Sequence, residues 1–385
     1  MRTPDPALLD RVRLALADAP GPVTPGRVAA AVRSAGAVLG DVGLLEVADA
    51  LRAELVGAGP LEPLLADPEV TDVLVNGPDG VWIDRGRGLE RVRLDLGEES
   101  VVRRLAVRLA AVAGRRLDDA SPYVDARLPD GVRVHAVLPP LAEGTHVSLR
   151  VPHRRHLSLP DLVRLQVVPP SWQPVLERLV ASRTSLLVSG GTGSGKTTVL
   201  ASLLGAVPHG ERIVVVEDST ELRIDHPHVV RLQARPPNVE GVGGITMTDL
   251  VRQALRMRPD RLVVGEVRGA EVRELLAALN TGHEGGCGTL HANAVSEVPA
   301  RLEALGALAG LRRDAVHAQA RSAVQVVLHL SRPAGRRRVV EVGVVDPAAE
   351  GLVVLPALLA DPGDPLLAGR RGPGWALLEQ RLATP

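Results

Sequence analysis

The chain has 385 residues, enough for two or three domains and at least one large core, and its 45% hydrophobic and 23% charged residues exclude a disordered protein. Its 45 basic and 45 acidic side chains balance, so it has no general attraction for polyanions. No Phe, one Tyr and three Trp leave almost nothing to stack on nucleic-acid bases, and a single cysteine excludes an internal disulfide.

The first twenty residues carry Asp and Arg through their apolar stretch, unlike a signal peptide, and nowhere do eighteen apolar residues run together. A soluble, cytoplasmic protein is expected. Residues 1–55 read as an N-terminal helical segment of amphipathic helices broken by Ala19-Pro20-Gly21-Pro22. Near residue 70 the period changes to two. VTDVLVN, the turn GPDG and VWIDR predict a β-hairpin. Ser100 is placed to cap a helix reaching about Ala113, with Gly114 just past its end. YVDAR, LPDG and VRVHAVLPP predict a second hairpin, so residues 56–150 are expected to form a small α+β domain.

Proline-bearing residues 151–162 read as a linker. Beyond them the apolar runs SLLVSG, IVVVED, VVRLQA, LVVGEV and GTLHAN alternate with helices expected from Lys196, near 247–257 and near 270–280. That alternation predicts an α/β domain over 163–346, with a mostly parallel sheet buried on both faces. Residues 347–385, rich in Pro, Gly and Leu, are left as a C-terminal tail.

Lys196 is the one lysine in the chain; every other basic side chain among the 45 is arginine. It lies in Gly190-Gly191-Thr192-Gly193-Ser194-Gly195-Lys196-Thr197-Thr198, a complete phosphate-loop pattern between a predicted strand and a predicted helix. Glycines let successive backbone N–H groups converge on phosphates at a helix N-terminus. Lysine reaches the β- and γ-oxygens as a flexible point charge and Thr197 coordinates Mg²⁺, whereas the planar fork of arginine does not fit that cradle.

IVVVEDSTEL ends an apolar strand with Glu217, Asp218 and Glu221, at the strand edge where open parallel sheets bind ligands. Carboxylates there hold Mg²⁺ through water or orient a nucleophile. Glu266 ends LVVGE in the same way, near the expected metal and attacking water, and Arg268 is placed to pair with it or to lie at a subunit boundary. His283, Cys287 and His291 are spaced like helical zinc ligands, but Gly282, Gly285, Gly286 and Gly288 oppose a continuous helix. The histidines are instead expected to hydrogen-bond near a γ-phosphate, and Cys287 to be a small buried apolar residue. Arg127, Arg133 and Arg150, outside the α/β domain, are candidates for arginines delivered to a phosphoryl group from another domain or subunit. The runs RRH at 154–156 and GRRR at 335–338 read as solvated faces, with contact to anionic headgroups as the alternative.

Taken together, the phosphate loop, EDSTEL, GEVRGAE and TGH…TLHAN resemble the secretion-superfamily ATPases of type II and type IV secretion and pilus assembly. GPLEPLLADPEVTDVLVNGPDGVWIDR, LPDGVRVHAVLPP, RPPNVEG and LRMRPDRLVVGEVRGAE are similar to the TadA/CpaF branch, the motors of Flp (tight-adherence) pili. The resemblance spans about 56–345 and implies a hexameric ring, a smaller α+β N-terminal domain over a RecA-like C-terminal domain, and ATP and Mg²⁺ bound between them. It implies pilin movement through an inner-membrane platform protein, at the cytoplasmic face of the plasma membrane. It makes Lys196 and Thr197 the phosphate and metal ligands, and Glu217, Asp218 and Glu221 an acidic box. It makes Glu266 the residue polarising the attacking water, and His283 and His291 a histidine box. Arg133 and Arg150 fall where the N-terminal domain supplies arginines. One cysteine excludes the four-cysteine zinc subdomain of some relatives, and an actinobacterial conjugal-transfer subgroup suits the Arg/Ala-rich composition.

The alternatives are a nucleic-acid translocase or conjugal DNA-transfer ATPase, opposed by zero net charge and scarce aromatics; a small-molecule kinase, which needs a closing lid; and a non-catalytic nucleotide-gated scaffold, opposed by Lys196 together with Glu266.

Overall fold

The computed structural model describes residues 11–12, 14–15, 25–36, 57–86, 88–152, 156–235, 237, 242–360 and 369–383, and the chain divides into two units, 1–154 and 155–385. Of the helices expected in 1–55, α1 (Pro25–Ser34) is described, and most of that segment lies outside the described residues.

The first unit is built on the period-two segments. A short helix, α2 (Glu62–Ala66), precedes β1 (Asp72–Asn76), β2 (Val81–Asp84) and β3 (Leu89–Val92); α3 (Glu99–Val112) then leads to β4 (Tyr123–Arg127), β5 (Arg133–Val137) and β6 (His146–Arg150). All pairings are antiparallel, in the order β3-β2-β1-β6-β5-β4. Alternate residues Val73, Val75, Val134, Ala136, Val147 and Leu149 share one core with Val102, Leu105 and Leu109 of α3. Each such valine or leucine, fully buried, contributes about 1.5–3 kcal/mol. Both hairpins form where the alternation predicts them. Ser100 is not the cap of α3. The helix starts two residues earlier than that cap would place it, Glu98 occupies the cap position without a side-chain hydrogen bond, and the Glu99 carboxylate accepts from the Thr145 N–H at 2.6 Å. A distant backbone partner sets that helix start, not the local cap residue.

The second unit holds a nine-stranded sheet. It begins with α4 (Leu159–Arg164), capped by Ser158 with Asp161, and α5 (Gln173–Ala181). β7 (Leu186–Gly190), α6 (Lys196–Gly205), β8 (Ile213–Glu217), β9 (Val229–Gln233), α7 (Met247–Ala254), β10 (Arg261–Val264), α8 (Val272–Leu279) and β11 (Cys287–Leu290) follow. Next come α9 (Val298–Leu308), α10 (Arg313–Ala323), β12 (Val326–Ser331) and β13 (Arg338–Val345). The segment set apart above as a tail contributes β14 (Val354–Leu359), β15 (Arg370–Arg371) and α11 (Trp375–Ala383).

Strand order is β15-β14-β13-β12-β7-β11-β10-β8-β9; β12 through β9 run parallel, and β13, β14 and β15 extend the sheet antiparallel. Successive residues of each parallel strand feed opposite cores. Leu186, Val188, Ile213 and Val215 pack with α4, α5, α6 and α11, whereas Leu187, Val214 and Val216 pack with α7, α8, α9 and α10. This is the doubly covered α/β sheet that the apolar runs predict. Because six strands are parallel, their carboxyl ends all reach one edge.

Candidate nucleotide-binding site

β7 ends at Gly190 and α6 opens at Lys196. Gly190, Gly193 and Gly195 adopt φ of +147°, +69° and +99°, a region that L side chains rarely enter. A Cβ on Gly190 would stand 2.4 Å from the Leu330 carbonyl oxygen, because β7 pairs with β12 at that point. Gly191 and Thr192 are exposed, Ser194 is buried, and Thr197 and Thr198 occupy the first turn of α6, half-buried. The Lys196 ammonium is buried and donates to the carbonyls of Gly190 and Gly191, each at 3.0 Å. Burial pushes its pKa down, and the fields of Glu266 and Glu221 act against that. The glycine cradle, the α6 N-terminus and the buried cation match what nucleotide phosphates require.

Three other strand ends bring charge to the same edge. Glu266 follows β10 by two residues, and its carboxylate pairs with Arg268. His291 follows β11 directly, with Nε2 2.5 Å from Glu266 Oε1 and 3.5 Å from Lys196 Nζ. Burial, then Lys196, holds His291 below the usual imidazole range, against the pull of Glu266. Asp218 and Glu221, exposed beyond β8, add to the field on Arg268. Among the described residues no three His, Cys, Asp or Glu side chains form a metal cage. Mg²⁺ beside a nucleotide takes oxygen ligands from a hydroxyl, carboxylates, phosphates and water; Thr197 lies in the first turn of α6, and Asp218 and Glu221 just beyond β8.

Glu217 does not line the open edge. It is 4% exposed, and its Oε1 accepts from the N–H groups of Glu221 at 2.9 Å and Leu222 at 2.8 Å. Burial raises its pKa and those two N–H groups pull it back. Gly265 makes room for it: a Cβ there would meet Glu217 Cγ at 2.6 Å.

The structure separates the two histidines read together above. His283 precedes β11 and His291 follows it, so they lie at opposite edges of the sheet. His283 Nδ1 lies 3.3 Å from the Ala278 carbonyl near the end of α8. Within one chain it is not beside the phosphate loop. The segment between them is a strand, not a helix, and Cys287 is buried in it with its thiol pushed up to about 12.

In the first unit, cross-strand register aligns Arg127 with Arg133 and Arg133 with Arg150. Directly paired residues share a face, so the three form one row across β4, β5 and β6. Arg133 also pairs with Asp125 at 2.7 Å.

Sequence reasoning missed the turn between β12 and β13. GRRR is not uniformly solvated. Arg336 is exposed, Arg337 is half-buried and Arg338 is buried. Arg337 Nε donates to the Gly193 carbonyl at 3.1 Å. Another unread pair lies beneath the loop, where Ser189 Oγ is 2.9 Å from His329 Nδ1. Only the β7–β12 pairing reveals either contact. Of RRH, Arg154 and Arg155 lie outside the described residues, and His156 Nδ1 lies 3.0 Å from the Arg223 carbonyl.

A doubly covered parallel sheet whose strand-to-helix turn is a glycine-rich phosphate loop defines a P-loop protein of RecA-like fold. The chain belongs to the type II/IV secretion system protein family, whose model matches residues 54–354. It is 56% identical over 324 residues to a protein of Mycobacterium tuberculosis strain H37Rv provisionally named for conjugal transfer, covering 82% of this chain and 92% of that one. The type IV secretion system protein PtlH of Bordetella pertussis is 33% identical over 314 residues, covering 73% of this chain and 92% of its own length. The conjugal transfer protein TrbB of Rhizobium radiobacter is 32% identical over 289 residues, covering 72% and 84% respectively. For the fold alone, the pilus retraction motor PilT with bound ADP superposes with a TM-score of 0.52 at 20% identity, over 77% of this chain and 80% of that one. The Legionella pneumophila ATPase DotB superposes with a TM-score of 0.51 at 20% identity, over 74% and 78%. Among the described residues, no helix is long and apolar enough to cross a membrane.

Proposed function

We propose that this chain is an ATP-hydrolysing motor of a type II/IV secretion or pilus-assembly machine, acting as a homo-hexameric ring of the TadA/CpaF kind. It works at the inner face of the plasma membrane and converts ATP turnover into subunit movement that drives pilin or another substrate through a membrane platform protein. The observation that carries this reading is the meeting of Lys196, Glu266 and His291 at the edge where β7, β10 and β11 end. A cation for phosphates, a carboxylate for water and an imidazole within reach of both form a hydrolytic site.

Residues 190–198 bind the phosphates, Lys196 by charge and the loop by its N–H groups. Thr197, with Asp218 and Glu221 partly through water, holds Mg²⁺, which supplies neutralisation of phosphate charge when bound. Glu266 orients and polarises the attacking water, and Arg268 restrains that carboxylate. His291, held neutral, links Glu266 to the phosphate loop. Glu217 is assigned to shaping the turn that presents Asp218 and Glu221, because its Oε1 serves two backbone N–H groups. His283 is assigned to the end of α8. The row containing Arg133 and Arg150 is assigned to supplying positive charge to a transferring phosphoryl group.

A second reading, a motor for conjugal DNA transfer, draws on the names of the mycobacterial and rhizobial relatives. Zero net charge argues that DNA, where it is the cargo, is gripped by other components. Phosphate release from ATP per protomer, followed across protein concentration with and without DNA, tests both. Specific activity that climbs and then levels supports a site completed between subunits. Constant activity at every dilution removes the ring, absent activity removes the ATPase, and strong stimulation by DNA moves weight to the second reading.

A further inference from the structure

The phosphate loop touches β12 and the β12–β13 connection at three points. A Cβ on Gly190 would meet the Leu330 carbonyl, one on Gly193 would stand 3.5 Å from Arg332 Nη1, and one on Gly195 would stand 3.5 Å from Arg337 Cδ. Only Gly190 is required by that neighbour as well as by its φ; at Gly193 and Gly195 the contacts are ordinary packing distances and positive φ alone calls for glycine. Glycine's freedom also leaves the Gly193–Ser194 peptide free to rotate, so something must fix which way its dipole points.

Arg337 does so. Its Nε donates to the Gly193 carbonyl at 3.1 Å. The peptide is planar and trans, so its N–H points opposite to its carbonyl. Holding the carbonyl on the Arg337 side turns the Ser194 N–H inward, where it lies 3.3 Å from the Gly191 carbonyl. Lys196 Nζ donates to that same carbonyl. That N–H donates to the Gly191 carbonyl within the loop, so this bond and the Arg337 contact together hold the peptide in one orientation. We propose that Arg337, from the β12–β13 turn of the same chain, is a positioning residue for nucleotide binding that sets the orientation of the Gly193–Ser194 peptide. The proposal rests on reading this loop as a nucleotide site.

The test is equilibrium binding of a fluorescent ATP analogue with Mg²⁺ to the full chain, together with KM and kcat for ATP. Arg337→Ala is expected to weaken binding and raise KM about tenfold with little change in kcat, the loss of one charge-assisted hydrogen bond. Arg337→Lys, which keeps one donor and the charge, should restore most of the affinity. Arg336→Ala, an exposed neighbour, should match wild type. Wild-type affinity in Arg337→Ala, or a fall in kcat at unchanged KM, overturns the proposal. Equal weakening in Arg336→Ala overturns it too, by making the effect one of general charge. Should Arg337→Ala melt early, the Lys variant decides: affinity as poor as for alanine, in a chain that melts like wild type, overturns the clamp. Loss of anionic-vesicle binding with nucleotide affinity intact would assign Arg337 to a lipid surface instead. Lys196→Ala separates the two levels: if it binds the analogue as wild type does, the nucleotide reading fails; if it alone loses binding, only the clamp fails.

Discussion

His291 Nε2 lies 2.5 Å from Glu266 Oε1 and 3.5 Å from Lys196 Nζ, so one imidazole joins the end of β11 to the end of β10 and to the phosphate loop. Burial and the neighbouring ammonium disfavour its charged form. Its folded-state pKa is therefore depressed below about 6.5, and it is neutral at physiological pH. Lowering the pH through that depressed value adds a positive charge beside Lys196 and Arg268. The expected kcat profile is flat near neutrality and falls only well below pH ~6.5, and His291→Asn loses that acid limb. An acid limb centred above the ordinary imidazole value would remove His291 from this role.

Lys196 and Glu266 should separate binding from turnover. Lys196→Ala and Lys196→Arg are both expected to weaken nucleotide binding by at least about tenfold, arginine failing because its fork does not fit the cradle. Glu266→Gln should bind as wild type does while kcat drops by roughly 10²–10⁴-fold. Titration with a fluorescent nucleotide and steady-state phosphate release read the two effects independently. Turnover by Glu266→Gln within a few-fold of wild type would move the role to another group.

Glu217 predicts a stability effect with a definite sign. Its pKa is raised from 4.5 by burial. A raised folded-state pKa gives a contribution that is full below the unfolded value and is lost as pH rises through the folded one. Glu217→Gln keeps an acceptor for the N–H groups of Glu221 and Leu222 and cannot ionise. Its melting temperature should lose that part of the decline between pH 4.5 and neutrality. Thermal melts across that range check it, and an unchanged slope in the variant would locate the effect elsewhere.

Gly265 is fixed by the same carboxylate. Gly265→Ala places a methyl group 2.6 Å from Glu217 Cγ and is expected to destabilise the fold by about 1–3 kcal/mol. Glu217→Ala in the same chain should relieve part of that loss, giving a coupling of about 0.5–3 kcal/mol in a double-mutant cycle. Simple additivity would mean that the two residues do not press on each other.

The parallel half of the large sheet was legible because its apolar runs end abruptly at charged or glycine residues: VVVE at Glu217, LVVGE at Glu266, LLVSG at Gly190. Each break marks a strand's carboxyl end, the edge at which open parallel sheets bind ligands. What stayed hidden was set by contacts distant in sequence. His283 and His291 look like partners eight residues apart until a four-residue strand is found between them. Glu217 looks like an open-edge acid until backbone N–H groups claim it. Arg337 meets Gly193 across 144 residues, through a strand pairing that no local pattern announces. Residues 354–359 and 370–371 complete the sheet by pairing with β13 and with each other, and their composition carries no such signal.

Arg127, Arg133 and Arg150 stand abreast on three neighbouring strands, with Asp72 opposite Arg150 at the end of the row. Like charges facing one another across a sheet repel, so the arrangement weakens the very ladder that displays it. Asp125, paired with Arg133 at 2.7 Å, and Asp72, opposite Arg150, set carboxylates against that repulsion, so the sheet carries its own counter-charge beside the row.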